Sequence, residues 1–246
     1  MSVYSARRSI DTAPWRDPDA WPVVDLAMPP LEQQMVATQA ERPRRAVLLS
    51  VLGADRNGRG LATLAAEREA AVLPHLEEAV ILRIGPVVDD LSIYVEGLRT
   101  YGGAAHAYGS APLAWLTAAD VADAAARAVA APHDAPIRAF DLPGATLMSV
   151  EALVVAVAGT PEAAVWDVSP DELIRELSGS GAPPATIQAI AGLQGWAAGC
   201  TEPSGQLARV LGRAPADLVA TLRAATDAAV SPATTAAASD LTTSIS

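Results

Sequence analysis

The sequence predicts an α/β protein, a parallel sheet flanked by helices with a smaller, mainly helical C-terminal lobe. Three observations predict it. Short, continuous apolar runs recur at 23–27, 46–51 and 79–84, and strands buried on both faces read that way rather than as an alternation of apolar and polar residues. Segments of helical composition separate the runs, at 31–40 and 61–73, which is the strand–helix–strand rhythm of a parallel sheet. Past residue 143 the helical patterns outnumber the extended ones.

The elements follow in order. Residues 1–22 are polar and broken by Pro14, Pro18 and Pro22, an irregular arm. The run at 23–27 stops at Met28, Pro29 and Pro30; Asp25 within it is unusual in a buried strand and would face a helix N-terminus. The helix at 61–73 is closed by Pro74, and the strand at 79–84 by Gly85 and Pro86. Asp89 and Asp90 then precede a helix at 91–100, and 94–108 reads as a glycine- and tyrosine-rich loop. A short strand at 113–116 leads to Thr117, an N-cap for a helix at 118–130 with Asp120 at its third position. A strand at 137–142, a helix capped by Ser149 and an extended piece at 165–168 come next. Helices follow from Ser169-Pro170-Asp171-Glu172 and at 183–198, 206–211 and 216–228. The expected division is an irregular arm at 1–22, a sheet domain at 23–143, a helical substrate lobe at 144–230 and a disordered tail at 231–246, where Ser, Thr and Ala lack periodicity.

Composition bounds the function. With 51% hydrophobic and 18% charged residues in 246, the chain can bury a sizeable core. A net charge of -11 without a basic stripe disfavours nucleic acid and anionic membrane surfaces as partners. All 17 basic residues are arginine, which excludes a Schiff-base or phosphate-gripping lysine. A lone Cys200 allows no internal disulfide and suits a reducing cytoplasm. The N-terminus has no apolar segment of signal-peptide type, and no apolar run is long enough to span a bilayer. His75, His106 and His133 lie far apart, so no metal centre is expected, and G-x-S-x-G is absent.

Four segments in order carry a resemblance: 44–55 (RRAVLLSVLGAD), 67–69 followed by 79–85, 115–122 (WLTAADVA), and 165–172 (VWDVSPDE) with the 211–215 turn (LGRAP). Together they resemble the NmrA-like, atypical branch of the short-chain dehydrogenase/reductase family, over about residues 23–226. That resemblance implies a Rossmann-like sheet with a small substrate lobe, in members that are NAD(P)H-dependent reductases or cofactor-binding sensors. It also makes 23–30 the fourth strand of that sheet, so the fold expected here is a truncated Rossmann-like domain. The first 22 residues contain no glycine, and Gly58-Arg59-Gly60, Gly102-Gly103 and Gly179-Ser180-Gly181 read as lying outside any strand–turn–helix opening. A dinucleotide needs a glycine turn before a helix N-terminus, so no cofactor is expected. The family's Tyr-x-x-x-Lys pair is impossible without lysine. The resemblance puts its catalytic serine near Ser50.

In parallel sheets, ligands bind beyond the carboxyl ends of the strands. The expected catalytic residues are Tyr101 and His106, with Asp89 and Asp90 as carboxylates able to move protons. The expected pocket is lined by Met28, Ser50, Leu52, Arg83, Pro86, Tyr94, Tyr108 and Trp196. Arg83, ending a buried strand, should meet a carboxylate, either a structural one such as Glu67 or that of a ligand. Trp196 and Cys200, four apart, share one face of a helix. The expected function is a cofactor-independent cyclase, isomerase or dehydratase for a hydrophobic small molecule of bacterial specialised metabolism. Two alternatives stand beside it, a non-catalytic ligand-binding or regulatory protein and, should the true N-terminus be missing, an NAD(P)H-dependent reductase. A bare sheet edge would be covered by the arm or by a second copy in a homodimer.

Overall fold

The computed structural model describes residues 21, 23–26, 45–55, 59–131, 135–159, 164–179 and 184–230, with the backbone alone at 23–25, 184–186, 188–189 and 229–230. The arm other than Trp21, Met28 with its proline stop, the helix expected at 31–40, His133, the tail and the Asp25 side chain lie outside what is described.

Among the described residues, β1 (Val23–Asp25), β2 (Arg45–Val51), β3 (Glu78–Ile84) and β6 (Ile137–Leu142) form a parallel sheet in the order β1-β2-β3-β6. Both faces of its central strands are covered, which is why β2 and β3 read as unbroken apolar runs. Helix α1 (Leu61–Val72) lies on one face through Ala62, Ala65, Glu69 and Val72, a helical spacing of three and four. Helix α3 (Ala118–Ala130) covers the other through Val121, Ala124, Ala125 and Ala128, together with Leu207 and Leu211 of α7 (Gln206–Leu211). Alanines on α3 let it lie close to Val47, Leu49, Val80 and Leu82. Trp21 closes this side, with the Arg45 guanidinium 5.9 Å from its ring centre.

A second core joins α2 (Ser92–Tyr101), α4 (Val150–Ala158) and α8 (Leu218–Val230), and draws residues from both sides of position 143. Two small sheets flank it, β4 (Gly103–His106) parallel to β8 (Ala164–Asp167), and β5 (Leu113–Trp115) antiparallel to β7 (Thr146–Met148). Helices α5 (Pro170–Gly179) and α6 (Pro184–Ala197) complete the described elements.

The helix expected at 91–100 is present as α2, and the loop expected over 94–108 is corrected: the segment continues that helix to Tyr101 and then forms β4, the two joined at Gly102 with φ 74°. A glycine there accepts the left-handed turn that ends a helix, so it punctuates rather than loosens the segment. The caps form as the residue types require. Thr117 Oγ1 accepts the Asp120 N–H at 3.0 Å and Ser149 Oγ accepts the Ala152 N–H at 3.1 Å. Asp120, 1% exposed, also accepts the Ala216 N–H at 2.8 Å and meets Arg213 Nη1 at 2.8 Å. The 211–215 turn is thereby fixed to α3.

Candidate functional site

The strand register sets Ser50, Arg83 and Asp141 in one row, near the carboxyl ends of β2, β3 and β6. An arginine at the end of a buried strand must be paired. Its partner is Glu69 of α1, not Glu67, because the helical period that buries Ala65 and Val72 turns position 69 inward as well. Arg83 Nη2 donates to Glu69 Oε2 at 2.8 Å and Nε to Oε1 at 3.1 Å, a two-pronged pair. Ser50 Oγ, 1% exposed, donates to Glu69 Oε1 at 2.5 Å. Arg83 Nη1 lies 3.1 Å from Asp55 and 4.0 Å from Asp141. The hydrogen bond to Glu69 raises the Arg83 pKa above its ordinary value against the opposing cost of burial. One guanidinium thus gathers three carboxylates at the strand ends, and it ties the turn after β2 to the sheet.

The same turn is held from above by α6. Trp196 Nε1 donates to the Leu52 carbonyl at 3.0 Å, and its ring packs with Val51, Ala54, Ala62, Ala65 and Cys200. A Cβ on Gly60 would lie 2.1 Å from the Gly192 carbonyl oxygen, so the start of α1 and α6 touch backbone to backbone. This corrects the reading of Gly60: it stands at the start of α1, the helix that follows β2, with φ 61° and a contact to α6 that leaves no room for a side chain. Cys200 is 1% exposed, and burial pushes its thiol up to about 12. The thiolate is the reactive form, so the folded chain should resist maleimides at neutral pH and react at once in denaturant. Rapid labelling of the native chain would show that this packing opens.

Several expected site residues are placed elsewhere. Tyr101 ends α2 and is 84% exposed, so it is corrected from a catalytic group to a surface residue; the helix that carries it turns Tyr94, Val95 and Leu98 inward instead. His106 is 2% exposed and enclosed by Tyr94 and Tyr108, each 6.3 Å away between ring centres. Tyr108 in turn meets Trp115 with the ring centres 5.6 Å apart and the rings inclined at 55°. Tyr94, Tyr108 and Trp115 belong to the second core, so His106 sits in a buried aromatic setting and not in the open loop expected for it. Asp89 Oδ2 accepts the Ala118 N–H at 2.9 Å and so caps α3 rather than the helix that follows it in sequence. Burial raises its pKa, while that hydrogen bond opposes the rise. Asp90 sits beside it, half-buried in the 3₁₀ turn Val88–Leu91. Pro86 is buried, and its carbonyl accepts the Leu116 N–H at 2.9 Å. Ser50, Leu52, Arg83 and Trp196 do converge on the strand ends. Met28 lies outside the described residues. Sequence reasoning missed Glu69 and Asp141, while Asp55 fell inside the candidate strand-end segment 50–55. For Glu69 the spacing from Ala62 and Ala65 was the available signal.

No helix among the described residues is long and apolar enough to cross a membrane, and none of their His, Cys, Asp and Glu side chains form a group able to hold a metal. No protein-family model matches the chain, and no curated protein sequence matches it. Solved structures do. An NADPH-dependent quinone oxidoreductase from Escherichia coli matches with a TM-score of 0.63 at 20% identity, over 84% of this chain and 74% of that one. A structure of that enzyme with NADPH matches as well. The triphenylmethane reductase of Citrobacter sp. complexed with NADP(H) matches with a TM-score of 0.59 at 16% identity, over 91% of this chain and 81% of that one. A nucleoside-diphosphate-sugar epimerase from Staphylococcus aureus gives 0.60 at 12%, over 91% and 82%. The fold is therefore the Rossmann-like α/β fold of reductases and epimerases. The expectation of a cofactor-independent cyclase, isomerase or dehydratase is corrected by this finding, since the matching structures are those of an NADPH-dependent oxidoreductase and a reductase complexed with NADP(H).

Proposed function

We propose that this chain is a nicotinamide-dinucleotide-dependent reductase acting on an apolar organic acceptor. The observation that carries the reading is the likeness of its fold to two reductases whose structures include the bound dinucleotide. The place where a ligand would sit follows from the sheet, beyond the carboxyl ends of β2 and β3.

The residues there fit the nicotinamide half of such a cofactor. Val51, Ala54, Pro86 and Val87 are buried apolar groups at adjacent strand ends, and the Leu52 N–H bonded to the Ile84 carbonyl at 2.9 Å keeps the two ends together. An apolar wall of this kind excludes water from a transferring hydride. Residues 1–44, the part of the chain before β2, contain no glycine to form the turn that usually receives a pyrophosphate, so the fit argued here is to the nicotinamide half alone. When bound, the dinucleotide would supply the hydride. The chain's own part is to shape the wall with Leu52, Pro86 and Val87 and to hold it rigid. Trp196 and the Ser50–Glu69–Arg83–Asp55 network do so by fixing the β2–α1 turn. The shortage of neutral polar groups there favours a hydrophobic acceptor.

The test is NADPH oxidation by the purified full chain, followed by absorbance with benzoquinones and cationic triarylmethane dyes as acceptors. Acceptor-dependent loss of NADPH supports the reading. Unchanged NADPH with every acceptor, under conditions where a known quinone reductase turns over, contradicts it.

A further inference from the structure

The buried histidine of the second core has two competing partners for one nitrogen. His106 and Asp167 are register partners across the β4–β8 pair. His106 Nδ1 accepts the Tyr108 N–H at 3.4 Å and also stands 3.7 Å from Asp167 Oδ1. That same carboxylate oxygen accepts the Gly109 N–H at 3.1 Å. Beyond the pair, the His106 carbonyl accepts the Val168 N–H at 2.8 Å, which fixes the strand ends on either side.

An imidazole nitrogen that accepts a backbone N–H carries no proton. The arrangement therefore holds neutral His106 with its hydrogen on Nε2. Adding a proton at Nδ1 turns an acceptor into a donor. The Tyr108 N–H must then turn away, and the new N–H has Asp167 Oδ1 as its nearest acceptor, an atom already holding Gly109. Both amides after β4 are thus wired to one protonation event.

We propose that His106 and Asp167 form an acid-operated clasp that seats the segment following β4. Neutral His106 holds Tyr108 against Trp115; protonated His106 closes on Asp167 and re-seats residues 107–109. The titratable groups around the ring are Tyr94 from α2, Tyr108 from the segment itself, Asp167 from β8 and Glu151 from α4. Burial lowers the imidazole pKa below its ordinary 6.5, while Asp167 and then Glu151 oppose the fall. The seated state is accordingly complete above about 6.5 and is lost as pH falls toward the lower folded value. The segment also runs beside α6, where a Cβ on Gly109 would stand 3.9 Å from Gln194 Cγ.

The test is heteronuclear NMR on the isotopically labelled full chain, titrated downward from pH 8 and following the His106 ring nitrogens with the Tyr108 and Gly109 amides. The expected result is a proton-free Nδ1 at high pH and a His106 midpoint below about 6.5. Both amides should shift with that same midpoint while the remaining spectrum stays dispersed. Asp167→Asn should weaken proton binding about tenfold, moving the midpoint down by about one pH unit. His106→Gln should abolish the titration of both amides. The proposal is overturned if Nδ1 carries the proton at high pH or if the amides move independently of His106. An unchanged midpoint in Asp167→Asn, or collapse of the whole spectrum at the midpoint, overturns it too.

Discussion

Replacing Arg83 by methionine should lower the melting temperature by about 6–12 °C. The change leaves Glu69, 5% exposed, facing Asp55 and Asp141 without its guanidinium. Breaking a buried pair by removing one partner costs about 3 kcal/mol or more, because a charge is left in a poor dielectric. In a chain of this size each kcal/mol moves the midpoint by roughly 2–4 °C. The paired replacement Arg83→Met with Glu69→Met should recover most of the loss, since apolar groups of similar volume tolerate the site that an isolated carboxylate does not. Differential scanning calorimetry reads both. A single variant as stable as the parent would show the network to be solvated and incidental.

Gly144→Ala should be at least as damaging. A Cβ at that position would lie 1.9 Å from the Trp115 carbonyl oxygen and 2.4 Å from its carbonyl carbon. Those are backbone atoms, so no rotamer relieves the clash. The turn must retreat, which breaks the Gly144 N–H bond to the Ala114 carbonyl at 3.3 Å and the Ser204 N–H bond to the Gly144 carbonyl at 3.0 Å. Overpacking plus two lost hydrogen bonds gives about 3 kcal/mol or more. Gly179→Ala is the control, because a Cβ there meets nothing within 4 Å. It should leave the midpoint unchanged or raise it slightly, by the usual advantage of alanine in a helix. If both variants melted alike, the close approach at Gly144 would be absent.

The parallel sheet was legible because its buried strands leave continuous apolar runs and their helices a period of three and four. The caps at Thr117 and Ser149 were legible because hydroxyl capping is local chemistry. What failed was the reading of glycine. Gly102 was read as part of a loop and is a helix stop, and Gly60 was read as lying outside a strand–turn–helix opening and stands with φ 61° where α1 meets α6. Glycine reports that a side chain is absent, and only tertiary structure tells whether a turn or a neighbour requires the absence. The same limit misplaced Tyr101 and His106. A loop of aromatic residues suggests a pocket, whereas a helix and strand over those residues sort them by period, with Tyr101 outward and Tyr94 and His106 inward. Arg83 was expected to need a carboxylate and found one. Its identity depended on the face of α1, two residues from the one named.

The central claim concerns the dinucleotide, and calorimetric titration of the full chain with NADPH and with NADH tests it most directly. The account predicts saturable binding of at least one of the two, near one site per chain, with a melting temperature that rises as the nucleotide concentration rises. Absence of any heat of binding, together with a melting temperature unmoved by either nucleotide at millimolar concentration, would contradict it.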